Sequence, residues 1–128
     1  MGNIFRLFVF SLIAFTQMEG YFATISTVFR DEAPYFKEWI EYHRLIGFDH
    51  FIVYDDNSAD NYMEVLQPYI DQGLVEVVDW SFYRREVNKS FHEVQRGAYR
   101  DSLRKCQKHS EWMAFLDIDE FVLPMQDR

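Results

Sequence analysis

Four short apolar runs, separated by stretches with helical periodicity, constrain the fold of this chain more than any other sequence feature. The runs are rich in β-branched and aromatic residues, which is typical of buried strands. They cover residues 21–29, 50–54, 74–80 and 112–116. Because strands and helices alternate with short connections, we predict an α/β fold with a mostly parallel sheet flanked by helices on both faces.

Two helices are predicted between the first three strands. The first follows Pro34, which suits an opening helical turn, and ends at Gly47. The second is predicted to start at Ser58 as its N-cap, and Pro68 predicts a bend or a break within it. The positions predicted to face the core are Phe36, Trp39, Ile40, His43 and Ile46 in the first helix and Tyr62, Val65, Leu66 and Tyr69 in the second.

A third helix precedes the fourth strand. Ser90 and Glu93 form an S-x-x-E capping box, which predicts a helix that continues to about residue 109. Its predicted inward positions are Phe91, Val94, Ala98 and Leu103. We also expect Trp112, in the fourth strand, to belong to the core.

Acidic residues follow three of the four predicted strands. They are Asp31 and Glu32, Asp55 and Asp56, and Asp117 and Asp119. In open α/β sheets the carboxyl ends of parallel strands lie at one edge, and ligands bind outside that edge. We therefore expect the three acidic pairs to lie together around one ligand.

The sequence D-I-D-E after the fourth strand is the main candidate for a metal site. Residues two apart in an extended chain project from the same face at roughly 7 Å, so Asp117 and Asp119 are predicted to face one cation, while Glu120 points elsewhere. Clustered carboxylates repel one another without a cation, and hard oxygen ligands favour Mg²⁺ or Mn²⁺. A solvated acidic loop is the alternative, because D-x-D is short and common.

The composition describes a folded, acidic chain of 128 residues, 48% hydrophobic and 19% aromatic. This is enough for one domain with a core and argues against disorder. A net charge of −8 disfavours non-specific binding to nucleic acid or anionic membranes, so we predict no nucleic-acid partner. Cys106 is the only cysteine, which excludes an intrachain disulfide.

Residues 4–15, IFRLFVFSLIAF, form an apolar segment that we separate from the fold. The segment is shorter than the ~20 residues of a membrane-spanning helix. It resembles the hydrophobic region of a secretory signal, in which Arg6 supplies the positive charge near the N-terminus and Gly20 lies near a plausible cleavage point. We assign residues 1–20 to a signal-like or membrane-associating segment and predict an exported or membrane-associated protein. A cytoplasmic protein with an uncleaved extension is the alternative.

Three segments, in order along the chain, resemble the family 92 glycosyltransferases and their bacterial relatives of the family 2 type. They are FRDEAPYFKEWIEYHRLIGFDHFIVYDDNSAD, LVEVVDW and WMAFLDIDEFVLP. The resemblance covers residues 21–124. It implies a Rossmann-like GT-A fold, a nucleotide-sugar donor such as UDP-galactose, usually Mn²⁺, a glycan or other hydroxyl acceptor, and inversion at the anomeric carbon.

The resemblance also implies roles for individual residues. Asp117 and Asp119 match the metal-binding D-x-D motif, and Asp55 and Asp56 in DDNS match the acids that contact the nucleoside. Glu32, in RDEAPY, matches the acid after the first strand. At the preceding position, Asp31 stands where the family more often has Asn, and Gln95 matches a polar position without an assigned role.

Arg84, Arg85 and Lys89 lie in a predicted loop after the third strand. In that loop Arg84 and Arg85 are candidates for contact with the donor diphosphate, and a solvated basic loop is the alternative.

The resemblance also implies a further half after the D-x-D strand, which would supply the acceptor surface and, for inversion, a carboxylate general base. This chain stops at Arg128. We therefore interpret residues 21–128 as the nucleotide-sugar-binding half of a GT-A domain, truncated after the D-x-D strand, with the general base outside the chain. The alternative function is a non-catalytic module that binds a nucleotide or a metal.

Overall fold

The order of elements follows the predicted alternation of strands and helices. A computed structural model describes residues 20–87 and 90–125. The elements are β1 (Tyr21–Phe29), α1 (Ala33–Leu45), β2 (His50–Asp55), α2 (Tyr62–Asp71), β3 (Val75–Asp79), α3 (Ser81–Val87), α4 (Phe91–Cys106) and β4 (Ser110–Phe115). The apolar segment at residues 4–15 and Lys89 lie outside the described residues. No helix within the described ranges has both the length and the apolar character needed to span a membrane.

The strands of the described chain form one four-stranded sheet in the order β3-β2-β1-β4, and all three pairings are parallel. Phe29 at the end of β1 pairs with Asp55 at the end of β2, which pairs with Asp79 at the end of β3. On the other side of β1, Ser26 pairs with Phe115 at the end of β4. The predicted parallel α/β sheet is confirmed, and its register brings the carboxyl ends of the strands to one edge.

The core lies on both faces of the sheet because the central strands are buried on both sides. β2 is buried along its whole length, and its alternate residues serve opposite faces. The face under α1 and α2 buries Ile25, Phe29, Phe36, Trp39, Ile40, Phe51, Val53, Leu66, Tyr69, Val75 and Ile118. The face next to α3 and α4 buries Val28, Ile52, Tyr54, Trp80, Val94, Ala98 and Cys106.

Helix α2 begins later than predicted and is not broken by its proline. It begins at Tyr62, so the prediction that Ser58 caps it is wrong. The helix also continues through Pro68 to Asp71 instead of breaking. Leu66 and Tyr69, on either side of the proline, are buried against the sheet, and this packing outweighs the roughly 3 kcal/mol that an interior proline costs.

The segment after β3 is the short helix α3, so the prediction of a loop there is wrong. The capping box of α4 is confirmed, with Ser90 and Glu93 exchanging hydrogen bonds. Phe91 and Leu103 of α4 are exposed, contrary to the prediction. Trp112 is 67% exposed, contrary to the expectation that it belongs to the core, because β4 is an edge strand of the described sheet.

Candidate functional site

The acids after β4 lie on a tight turn. β4 ends at Phe115, and the backbone N–H of Glu120 donates to the carbonyl oxygen of Asp117 at 3.0 Å. The side chain of Glu120 in turn accepts the N–H of Asp117 at 2.9 Å. The expectation of an extended chain at Asp117 and Asp119 is therefore wrong, as is the expectation that Glu120 points elsewhere. Ile118 is buried in the core under α1 and α2, which anchors the turn between its two aspartates.

The carboxylates after β1 and β4 act on one another electrostatically. Burial raises the pKa of Asp117, and the negative charges of Glu120 and Asp119 raise it further. The pKa of Glu32 is raised by burial first and then by the charge of Asp119, followed by that of Asp60. Among the described residues, no Lys or Arg forms an ion pair with any carboxylate of this group. The group consists of Glu32, Asp60, Asp117, Asp119 and Glu120. Within residues 20–87 and 90–125, the fold therefore gathers negative charge here without an ion pair that would compensate it.

Helix α4 contributes a polar contact to this cluster. The Nε2 group of Gln95 donates to Oδ1 of Asp117 at 3.1 Å and to the hydroxyl of Tyr99 at 3.2 Å. Burial and the nearby charge of Asp117 raise the pKa of Tyr99 to about 12. An amide donor orients the carboxylate of Asp117 without neutralising it, which leaves its charge available to a cation.

Helix α1 holds the segment that follows the turn. The indole Nε1 of Trp39 donates to the carbonyl oxygen of Glu120 at 3.0 Å, and the Tyr42 hydroxyl donates to the carbonyl oxygen of Val122 at 2.7 Å. The N–H of Val122 donates to Nε2 of His43 at 3.3 Å. Three side chains from one helix thus fix the chain directly after residues 117–120, which we call the acidic turn.

A cavity of about 420 Å³ opens between the start of α1 and this turn. It is lined by Glu32, Tyr35, Glu38, Ile118, Asp119 and Phe121. The structure therefore brings together the predicted substrate-binding residue Glu32 and the predicted metal ligand Asp119 at one cavity wall.

The acids after β2 make contacts within the protein. Asp55 accepts the N–H of Ser58 at 2.8 Å and the hydroxyl of Tyr62 at 3.1 Å. The side chain of Asp56 is only 1% exposed and accepts Nε of Arg84 at 2.9 Å, with a second bond to the Nη2 group. Asp55 and Asp56 lie at the predicted edge, as does Arg84, but the contact predicted between these acids and a nucleoside remains a prediction.

The end of β3 adds an acid that the sequence analysis did not single out. Asp79 accepts both the hydroxyl and the N–H of Ser81, at 2.6 Å and 3.0 Å, and these bonds lower the pKa of Asp79. Arg85 donates to the same hydroxyl at 3.1 Å. Asp79 lies inside a run read as buried strand, LVEVVDW, so only the sheet register shows that it ends level with Asp55.

The loops after β1 and β2 are hydrogen-bonded to each other. The N–H of Asp31 donates to the Ser58 hydroxyl at 2.9 Å, and the carboxylate of Asp31 accepts the N–H of Ala59 at 2.7 Å. Asp31 has φ of 55°, in the left-handed region that Asn and Asp adopt more readily than most residues. Aspartate at position 31 is therefore compatible with the loop geometry.

The family to which this chain belongs is shown by its similarity to known proteins. The model of the family described as glycosyltransferase family 92 matches residues 20–128. The chain belongs to glycosyltransferase family 92. The family resemblance inferred from the sequence is thereby confirmed, and the parallel α/β sheet is consistent with a Rossmann-like GT-A fragment.

Several curated proteins are similar to this family 92 chain. A glycosyltransferase family 92 protein of Oryza sativa subsp. japonica is 30% identical over 98 residues, which are 77% of this chain and 15% of that protein. The galactan beta-1,4-galactosyltransferase GALS2 of Arabidopsis thaliana is 34% identical over 89 residues, 67% of this chain and 17% of that protein. The chain thus spans about one sixth of the length of these relatives. No solved structure shows significant similarity to it.

The donor set at the acidic turn suits a cation that also binds other ligands. In residues 20–87 and 90–125, no group of three or more His, Cys, Asp or Glu side chains is arranged to hold a metal ion. Mg²⁺ is usually bound through one or two carboxylates, with waters and substrate phosphates in its remaining positions. Asp117 and Asp119 fit that pattern, because they offer hard oxygen ligands on a turn whose charge no described basic residue offsets.

Proposed function

We propose that this family 92 chain binds a nucleotide-diphosphate sugar together with a divalent cation, Mn²⁺ or Mg²⁺, at Asp117 and Asp119, for transfer of the sugar with inversion to a hydroxyl of a glycan. The sugar that we propose is galactose, carried by UDP, because two relatives from Arabidopsis thaliana are named galactan beta-1,4-galactosyltransferases. The observation that carries the proposal is the group of carboxylates at the carboxyl edge of the sheet, which no basic residue of the described chain pairs with.

The electrostatics of that edge supports a bound cation. Burial raises the pKa values of Glu32 and Asp117 most, and nearby negative charges raise them further, so both effects disfavour ionisation of these groups. A divalent cation at Asp117 and Asp119 would reverse this effect and stabilise both ionised groups. When bound, the cation would stabilise the negative charge that develops on the departing diphosphate.

Arg84 and Arg85 are proposed to act on the diphosphate from the opposite side of the edge. Asp56 holds the guanidinium of Arg84 in a two-point contact while leaving 32% of its side chain exposed. Such a contact orients a planar guanidinium, which matches phosphate oxygens well. We propose that Asp55 and Asp56 contribute to the nucleoside site, Asp56 chiefly by orienting Arg84.

Isothermal titration of the chain with UDP, with and without Mn²⁺, tests the proposal. We expect heat of binding only when Mn²⁺ is present, and loss of that binding in Asp119→Ala. The matched control is Glu111→Gln, which removes one negative charge from exposed β4 and leaves the turn intact. Unchanged metal-dependent binding in Asp119→Ala would refute the metal assignment.

A hydrolysis assay with UDP-galactose separates transfer from binding. Release of galactose that depends on Mn²⁺ supports a glycosyltransferase donor site. Binding of UDP without release supports the alternative of a non-catalytic nucleotide-binding module. Absence of binding with either cation rejects both functions.

A further inference from the structure

We propose that His43 is a positioning residue for the acidic turn: its neutral imidazole holds the chain after the turn on α1 and thereby fixes the orientation of Asp119. The inference rests on the proposed function in assigning a metal to Asp119. The contacts of His43 itself are independent of that function.

The hydrogen bonds of His43 define its protonation. A backbone carbonyl can only accept, so the 2.8 Å contact between Nδ1 and the carbonyl oxygen of Trp39 places the proton on Nδ1. A backbone N–H can only donate, so the 3.3 Å contact with Val122 requires a bare Nε2. Both contacts are satisfied only by the neutral ring with its proton on Nδ1. Complete burial favours the same state, because it lowers the pKa of His43.

The ring of His43 also packs against Phe121, the neighbour of the Val122 that it binds. Phe121 stacks on it with ring centroids 5.7 Å apart and planes 12° apart, and Phe48 meets it edge-on. Phe121 lines the cavity next to Asp119. A shift of the chain at residues 121 and 122 would therefore move a cavity wall and the residue that follows the turn.

His43 has a role that its two helical neighbours do not share. Trp39 and Tyr42 both donate to carbonyl oxygens of this segment, whereas His43 accepts its N–H at Val122. An apolar residue at position 43 would fill the core but leave that N–H without its acceptor. Accepting a hydrogen bond, and not only filling space, is thus the property that we assign to His43.

Two amide substitutions separate these properties. In His43→Gln, the longer side chain places its carbonyl oxygen near the position of Nε2, where it accepts the N–H of Val122. In His43→Asn, the shorter side chain keeps a donor for Trp39 but does not reach Val122. We expect His43→Asn to weaken binding of UDP with Mn²⁺ about 10-fold, as for groups that orient metal ligands, and His43→Gln to restore most of it.

The same substitutions at His50 are the matched control. His50 is also buried and bonds Thr24, but it begins β2 and so lies at the amino edge of the sheet, opposite the acidic turn. We expect His50→Asn to lower the melting temperature while the affinity for UDP with Mn²⁺ stays unchanged. Equal affinities for His43→Asn and the unsubstituted chain, or no recovery in His43→Gln, would overturn the inference.

A measurement without ligand keeps this test independent of the proposed function. In ¹H–¹⁵N spectra of the metal-free chain, we expect His43→Asn to shift the amide signals of Asp119, Glu120 and Val122, and His43→Gln to return them toward their original positions. The imidazole ¹⁵N shifts should report a proton on Nδ1. If the unsubstituted chain binds no UDP, the proposed function fails. If these amide signals do not move in His43→Asn, the positioning role fails.

Discussion

At the scale of single residues, the carboxylates of the site differ in their partners. Asp56 is neutralised by Arg84, Asp117 is held by the amide of Gln95, and Asp119 faces a cavity that it shares with other acids. The three aspartates thus have different expected roles. Asp56 forms an ion pair, Asp117 is oriented by an amide, and Asp119 remains available to a ligand.

Asp119→Asn is expected to stabilise the metal-free chain. It removes a negative charge that raises the pKa of Glu32 and Asp117, so folding no longer brings that charge toward its neighbours. Because the turn is partly exposed, we expect a gain of about 0.5 kcal/mol in the free energy of unfolding. Urea denaturation in EDTA at neutral pH measures it. Glu111→Gln should have no such effect, and a destabilised Asp119→Asn would contradict the prediction.

Arg84→Ala is expected to destabilise the fold, because it leaves the buried carboxylate of Asp56 without its partner. Breaking a buried pair from one side costs 3–5 kcal/mol, and the partial exposure of Arg84 places this case near the low end, at about 3 kcal/mol. Urea denaturation gives the value. The double variant with Asp56→Asn should recover more than half of the loss, and a simple sum of two losses would argue against the pair.

At the scale of elements, packing between α3 and α4 depends on one residue without a side chain. Gly97 of α4 lies against the ring of Tyr83 in α3, which in turn stacks on Trp80 at a centroid distance of 4.7 Å. A Cβ atom added to Gly97 would come within 2.5 Å of that ring. Since α3 also carries Arg84, this contact links helix packing to the edge of the sheet where the site lies.

Gly97→Ala is therefore expected to destabilise the chain, although alanine is the better helix former. The propensity gain of about 1 kcal/mol is opposed by overpacking, which costs about 1–3 kcal/mol, so we expect a net loss of roughly 1 kcal/mol. Thermal unfolding followed by circular dichroism measures it. Arg96→Ala, on the exposed face of the same helix, is the control. A rise in melting temperature for Gly97→Ala would show that Tyr83 moves away at little cost.

The elements that could be predicted from sequence are those whose signals are local. Strands β1 to β3 are visible as apolar runs, and the capping box marks the start of α4. The parallel sheet then follows from alternation, as does the meeting of acids at one edge. Helix α3 has no such signal, since its seven residues are too few to show a periodic stripe.

The features that sequence reasoning missed depend on tertiary contacts. The sequence pattern predicts a buried Trp112 because edge and central strands look alike without a strand order, whereas β4 is an edge strand and Trp112 is exposed. The sequence does not predict the acidic turn, because its closure depends on Glu120 bonding back to Asp117 and on the burial of Ile118. The hydrogen bond from the N–H of Val122 to His43 could not be predicted either. A helical stripe shows that His43 faces inward but not which backbone group its ring nitrogens will contact.

At the scale of the whole molecule, the ends of the sheet differ in chemistry. The carboxyl edge gathers the acids Glu32, Asp117 and Asp119, which form no ion pair with a described basic residue. At the amino edge, the ring of His50 stacks on that of Tyr21 with centroids 3.9 Å apart. With a net charge of −8, an anionic nucleotide has no general attraction to this chain. A cation bound at the carboxyl edge would create that attraction locally, which accounts for the expectation that UDP binds only in the presence of metal.

The two buried histidines make the stability of the whole molecule depend on pH. Burial lowers the pKa of His43 and, despite the charges of Glu76 and Asp49, also that of His50. Below the ordinary histidine value of about 6.5, the unfolded chain therefore binds more protons than the folded one. Stability from these groups is fully present above that pH and is lost as the pH falls below it.

We accordingly expect the free energy of unfolding to be lower at about pH 5.5 than at about pH 7.5, with His43 contributing on the order of 1 kcal/mol to the difference. The raised pKa values of Glu32 and Asp117 have the opposite sign, because these acids bind more protons when folded. The contribution of His43 is isolated by subtracting the profile of His43→Gln, which does not titrate at this position, from that of the unsubstituted chain. Urea denaturation across this pH range provides both profiles. The subtracted curve should rise with pH and level off above about 6.5, because only the neutral imidazole keeps both of its hydrogen bonds. A flat curve would mean that folding does not change the pKa of His43, which would contradict the prediction.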